Sequence, residues 1–146
     1  MQISSRFTIA LHIFTAMDVF GKDYKVTSDF LAGSIGTNPV IIRRLLTQLK
    51  NAGLLTVARG TGGCEPAKPL SEITFYDVYK AVDAVAEETL FHMHEHPNPG
   101  CPVGRNINAL LEDKLLDIQT AMENEMKRHT VAELHDGIRE LIAEEV

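Results

Sequence analysis

Two groups of side chains in this sequence have the types and spacing to do chemistry. The first is cationic: Arg43, Arg44, Lys50, Arg59 and Lys68 fall between Gly36 and Leu70, where Glu65 is the sole acid, a local balance of +4. The rest of the chain holds nine bases against nineteen acids, so the net charge of −6 conceals a positive island. An acidic protein that gathers its positive charge in one place presents that place to a polyanion, because phosphate neutralisation supplies the sequence-independent part of nucleic-acid affinity. Alone, Arg43, Arg44 and Lys50 would equally describe a solvated face. The second group is His92, His94, His96 and Cys101, whose imidazole and thiolate chemistry suits zinc or copper. Alternating histidines need a strand to share a side, and Pro97 and Pro99 interrupt one, so exposed loop histidines are the plainer reading. A metal-dependent enzyme would recruit Glu95 there as a base. No glycine-rich phosphate cradle, serine-nucleophile motif or HExxH helix accompanies it, and the sequence points away from an enzyme.

The elements that must position the cationic group decide its meaning. Asn38 is a good N-cap, Pro39 fits the first helical position because its missing N–H would be unbonded anyway, and Gly53 suits a left-handed residue past the helix end. Between them Ile42, Leu45, Leu46 and Leu49 form one apolar stripe, while Val40, Arg43, Arg44, Thr47 and Lys50 turn the other way. Just before, Thr27 caps a short helix from Ser28 to Ile35, ended by Gly36. A short glycine-containing link between two such helices matches a helix-turn-helix, whose second member lies in the major groove. After Gly53, Leu54 to Ala58 reads as a strand, Gly60, Gly62 and Gly63 permit a tight reversal, and Cys64 to Ala67 returns. This is a wing, with Arg59 suited to a narrow minor groove and Arg43 to a guanine edge or a phosphate.

The remaining segments supply the frame. Ser4 or Ser5 caps a first helix on Phe7, Ala10, Leu11, Phe14 and Met17 that ends at Gly21, and Ile3, Ile9, Ile13 and Phe20 outside that stripe hint at cover from a partner subunit. Thr74 with Asp77 resembles a capping box opening a helix through about Ala86 on Val78, Val82 and Val85. The proline-rich stretch from His92 to Pro102 excludes regular structure. From Pro102 to about Arg128 a long helix carries Ile107, Leu110, Leu111, Leu115, Ile118, Met122 and Met126. That stripe exceeds what a small core covers, so a symmetric partner helix and a homodimer are expected. Thr130 with Glu133 reads as a second capping box, opening a last helix on Val131, Leu134, Ile138 and Leu141.

Length and composition agree with one domain: 146 residues at 45% apolar content can bury a core. No apolar run approaches the roughly 18 residues of a membrane span, and the start does not read as a signal peptide. Two distant cysteines make no disulfide framework, so reduced thiols and a cytoplasmic location are expected. Pro102 makes Cys101 the cap of the long helix, where the macrodipole favours a thiolate, so Cys101 is a sensor candidate beside the plain reading of a packed cap. Cys64 reads as structural.

The order helix-turn-helix, glycine-tipped wing, helix, proline-rich loop, long helix, with Ser4-Ser5-Arg6-Phe7-Thr8-Ile9-Ala10-Leu11, the run LLTQLKNAGL from Leu45 to Leu54, Arg59-Gly60-Thr61-Gly62-Gly63, Ala67-Lys68-Pro69 and Ile73-Thr74-Phe75-Tyr76-Asp77-Val78, resembles the Rrf-two family of bacterial winged-helix transcription regulators. The resemblance implies a mainly α fold with a small β-hairpin wing, and a homodimeric repressor or activator that binds a double-stranded DNA operator through its second motif helix and wing. By match to the family's pattern, Asn38, Val40, Ile41 and Arg43 fall where base or phosphate contacts are made, and Arg59-Gly60 falls at the wing tip. The expected DNA-binding set is therefore Asn38, Pro39, Val40, Ile41, Arg43, Arg44, Thr47, Arg59, Gly60, Thr61 and Lys68. Residues 1–86 are read as the winged helix-turn-helix region, 87–101 as an effector or sensor loop, and 102–146 as the dimerisation helix and C-terminal helix, all in one compact domain. Many members hold an iron–sulfur cluster on three cysteines before the long helix. Only Cys101 lies there, and a cluster needs about four soft ligands. The resemblance is thus to the cluster-free branch, some of whose members respond to thiol oxidation or a small metabolite, with no cofactor expected. A winged-helix regulator of another family, or a protein-contact module without DNA binding, stays open as the alternative.

Overall fold

Each helix in the first half of the chain begins where a short polar side chain meets an unpaired backbone N–H, as the computed structural model shows for residues 3–58, 62–83 and 90–145. Helix α1 (Ser5–Phe20) is capped by Ser4, whose Oγ accepts from Arg6 N at 3.2 Å. Helix α2 (Ser28–Ile35) is capped by Thr27, whose Oγ1 accepts from Phe30 N at 3.1 Å, and it ends at Gly36 with φ of 79°. That left-handed turn costs glycine little and lets helix α3 (Pro39–Asn51) start after only Thr37 and Asn38. Strands β1 (Leu55–Val57) and β2 (Cys64–Pro66) pair antiparallel with Leu55 opposite Pro66 and Val57 opposite Cys64. Ala58 N to Gly63 O (2.8 Å) and Ala67 N to Leu54 O (3.0 Å) extend the ladder, so the hairpin spans the predicted wing.

A 3₁₀ turn (Leu70–Glu72) leads to helix α4 (Phe75–Ala81), opened by the predicted capping box: Asp77 N donates to Thr74 Oγ1 and Thr74 N to Asp77 Oδ2, each at 3.0 Å. The helix stops sooner than predicted, at the Val82 cap, because Asp83 takes a left-handed φ of 47° and its carbonyl accepts from Arg6 Nη2. Val85 and Ala86 lie outside the described residues. Helix α5 (Pro102–Met126) is about 38 Å long at 1.5 Å per residue. Helix α6 (Val131–Glu144) follows.

The second predicted capping box does not form. The Thr130 side chain makes no cap bond, and the Glu133 carboxylate is instead held by His129 Nδ1 at 3.0 Å. Tertiary pairing takes precedence there: Thr130 bridges Thr74, with Phe75 N donating to His129 O and Val131 N to Ile73 O, both at 2.9 Å. The α5–α6 corner is thereby fastened to the start of α4.

One core joins these elements. Ile13, Phe14, Leu31, Ile42, Leu45, Leu49, Val78, Val82 and Val131 are fully buried, each fully buried aliphatic side chain contributing about 1.5–3 kcal/mol. The cover that Ile13 of α1 calls for comes from within the chain, since α1 packs on α2, β2, α4 and α6. Helix α5 meets this core through Met122 and Met126, which are partly buried against it. None of its residues is buried, and Val103 (68% exposed), Leu110 (62%) and Ile118 (53%), at spacings of about two turns, face outward.

Candidate nucleic-acid interface

The cationic face is built on α3. Ile42, Leu45, Leu46 and Leu49 lock one side of the helix into the core, which fixes the rotation of the other. Val40, Ile41, Arg43, Arg44, Thr47 and Lys50 are all exposed on that other side. The amphipathic stripe therefore does the positioning: a helix held by four buried side chains cannot roll without removing them from the core. At its start Asn38 Oδ1 accepts from Val40 N at 2.8 Å, which commits the oxygen as a cap and leaves the amide NH₂ group as a donor. Pro39, at the first helical position, is half-buried. Thr47 Oγ1 donates back to Arg43 O at 3.0 Å, so its hydroxyl hydrogen is engaged and it can meet a ligand only as an acceptor or through its methyl group.

Val40 and Ile41, 54% and 42% exposed, are unusual beside two arginines in the first turns of a helix. On a helix lying in a major groove that mixture has a use: guanidinium forks meet guanine edges or phosphates, and bare methyl groups meet thymine methyls. Lys50 in the last turn also complements the helix dipole. Lys68, just past β2, is exposed. Arg59, Gly60 and Thr61 of the predicted wing tip lie outside the described residues.

The structure adds a neighbour that sequence reasoning did not find. The segment before α2 joins the hairpin edge, with Cys64 N donating to Val26 O at 3.1 Å, so Lys22 and Lys25 line a groove of about 520 Å³ beside Thr56, Gly63 and Glu65. Those lysines are about forty positions from the wing in sequence, and no local pattern announces the pairing. Asp18 and Glu65 in the same groove offset much of their charge.

The two cysteines sit in opposite settings. Cys64 is buried, its Sγ donates to Val26 O at 3.2 Å, and burial pushes the thiol up to about 11. Cys101 occupies the predicted N-cap of α5 with Pro102 behind it. Its thiol makes no side-chain cap bond, yet the N–H groups of Gly104 and Val103 hold it below the ordinary thiol range. The preceding loop folds over this turn, with Asn98 O accepting from Cys101 N at 3.1 Å and Pro99 O from Arg105 Nη1 at 3.3 Å. His92, His94 and His96 are exposed along the loop, and among the described residues no three His, Cys, Asp or Glu side chains converge as a metal site.

Comparison with known proteins agrees with this geometry. Residues 3–137 match the family model described as Rrf2, iron-dependent transcriptional regulator. The chain is 40% identical over 124 residues to YwnA of Bacillus subtilis, a candidate HTH-type transcriptional regulator, covering 85% of this chain and 90% of that one. It is similar to the crystal structure of a candidate transcriptional regulator from Lactobacillus plantarum, with TM-score 0.77 and 26% identity, covering 92% and 90% of the two chains. It is also similar to a crystal structure of a candidate DNA-binding protein, with TM-score 0.69 and 31% identity, covering 88% and 97%. The family and YwnA are transcriptional regulators and not enzymes, so the histidines with Glu95 need no catalytic role. The iron in the family description finds a poor donor set in this chain. Cys101 is the only thiol near the loop, and Cys64 is committed to Val26 in the wing. These residues do not fit an iron–sulfur group.

Proposed function

Because the chain belongs to the Rrf2 family of transcriptional regulators, we propose that it is a cytoplasmic, homodimeric DNA-binding repressor that works without a metal cofactor. Each subunit places α3 in the major groove of one half of a pseudo-palindromic operator, with the wing alongside. The observation that carries this reading is the exposed side of α3, where Arg43, Arg44 and Lys50 stand with Val40 and Ile41 on a helix whose opposite side is fully locked in the core. Asn38, Pro39, Thr47 and Lys68 border that surface, and the sequence adds Arg59, Gly60 and Thr61 at the wing. Dimerisation is supported by α5, whose outward Val103, Leu110 and Ile118 form an apolar row suited to a second copy of the same helix. Among the described residues no helix is long and apolar enough to cross a membrane.

Regulation enters through the start of α5. Oxidation or capture of the Cys101 thiol, held below the ordinary thiol range at the N-cap of α5, would disturb the first turn of the dimerisation helix and with it the separation of the two α3 helices. The test is selection of bound duplex DNA from random sequence by the purified chain, with sedimentation in parallel. A palindromic consensus, salt-sensitive binding and a dimer are expected. A monomer that ignores duplex DNA at low ionic strength would leave a protein-contact module as the better description. For the thiol, Cys101→Ser should abolish release of the selected DNA by peroxide, and unchanged release removes Cys101 from the mechanism.

A further inference from the structure

The outward side of α3 differs from an ordinary cationic helix face in what it lacks. Between Asn38 and Gln48 the exposed side chains are Asn38, Val40, Ile41, Arg43, Arg44 and Thr47. The arginines only donate hydrogen bonds, and Val40 and Ile41 offer only methyl groups. Both amide oxygens of this stretch are withdrawn: Asn38 Oδ1 is turned back to Val40 N at 2.8 Å, and Gln48 Oε1 is buried. Thr47 keeps an accepting oxygen, but it lies about 10 Å along the axis from Val40 at 1.5 Å per residue. The first turns of a recognition helix are the part that meets base edges. Here they present donors and methyl groups and no free side-chain acceptor.

We propose that thymine is the base this surface reads: Val40 and Ile41 pack on the C5-methyl groups of two neighbouring T·A pairs in each half-site, and the Asn38 amide N–H donates to a thymine O4. The inference rests on the DNA-binding reading above and names the base which that reading leaves open. Its chemistry follows from the groove. Thymine alone shows the major groove a methyl group, with the O4 acceptor beside it, whereas the amino groups of adenine and cytosine need an acceptor to meet them. Asparagine and glutamine ordinarily read adenine with oxygen and nitrogen together, and here both oxygens face the protein. The two aliphatic side chains suit the task. They are 54% and 42% exposed, and a β-branched side chain in a helix holds one strongly preferred χ1 rotamer, so the methyl groups are placed before DNA arrives. Arg43 and Arg44 follow Val40 by three and four residues and share its patch, so their contacts to guanine or phosphate hold those methyl groups against the bases. Consecutive residues stand about 100° apart around a helix, which directs Val40 and Ile41 to adjacent pairs instead of one.

The experiment takes the duplex that the full chain selects from random sequence and replaces the thymines of one half-site, one at a time, by deoxyuridine. Uracil keeps the pairing and the O4 acceptor and loses only the methyl group. Affinity should fall about fourfold at two adjacent pairs, the worth of one buried methyl group, and by less than about twofold at every other thymine. Val40→Ala should bring the thymine-to-uracil difference at one of these pairs below about twofold, and Ile41→Ala should do the same at its neighbour. Neither substitution removes a charge, so the salt dependence of binding should stay at the parent value and report that α3 still docks. Three results would overturn the inference: half-sites selected without thymine, methyl loss that costs less than twofold everywhere, or a methyl effect that persists undiminished in both alanine variants. The last would assign the methyl groups to duplex stiffness instead of contact. Salt-sensitive binding without a methyl effect strikes this inference alone, whereas no duplex binding at low ionic strength strikes the DNA-binding reading together with it.

Discussion

Replacing Arg43 and Arg44 together by alanine separates a DNA-contacting face from an ordinary solvated one. Both guanidinium groups are exposed, and neither makes a hydrogen bond or ion pair with the described residues, so the fold should keep its stability within about 0.5 kcal/mol. In a dimer the double substitution removes four cations from the two α3 helices. Each phosphate contact contributes about 0.9 to the slope of log affinity against log salt. If all four meet phosphates, the slope should become shallower by about 3.6, and binding to every duplex should weaken alike. If Arg43 instead reads a guanine edge, the slope should change by about 1.8, and discrimination at one operator position should fall by about 1–3 kcal/mol. Fluorescence anisotropy on the selected operator and on a scrambled duplex, across a potassium chloride series, distinguishes these outcomes. An unchanged slope from a folded dimer would refute the assignment, because a surface that touches phosphates cannot lose four charges without releasing fewer counterions.

The remaining expectations concern the frame. Leu49→Ala, at a fully buried position on the core side of α3, should cost about 2–5 kcal/mol in urea denaturation. Gly104→Ala would set a Cβ 2.5 Å from Asn98 O and 3.1 Å from Asn98 N, so the loop must lift off α5. A loss of about 1–3 kcal/mol and a changed Cys101 alkylation rate should follow. Iodoacetamide should modify Cys101 before Cys64 by about a hundredfold or more, as a thiol below its ordinary value competes with one pushed up to about 11; mass spectrometry of quenched samples reads the order. His129, between Glu133 at 3.0 Å and Glu125 at 3.2 Å, has its pKa raised first by the Glu133 hydrogen bond. Its stabilising effect is complete below the unfolded value of about 6.5 and is lost as pH rises through the folded value. His129→Gln should therefore lower the melting temperature most near pH 6, and a difference that grows with pH would contradict the assignment.

By itself the sequence determined the local starts and stops and the two-faced character of α3. Asn38, Pro39, Gly36 and Gly53 act within a turn of their own positions, and the Ile42, Leu45, Leu46, Leu49 stripe needs only helical geometry to gather on one side. For the same reason the Thr74 and Asp77 capping box was legible. Tertiary structure decided everything that required distant segments to meet. Thr130 and Glu133 carry the same local signal as Thr74 and Asp77, yet pairing with Thr74 and the His129 imidazole drew them into other bonds. The cover of α1 by α2, α4 and α6 and the attachment of Val26 to the wing edge are likewise long-range. Short-range backbone preferences are written in neighbouring residues, whereas packing depends on which apolar surfaces find one another once the chain closes, and that is settled only by the whole fold.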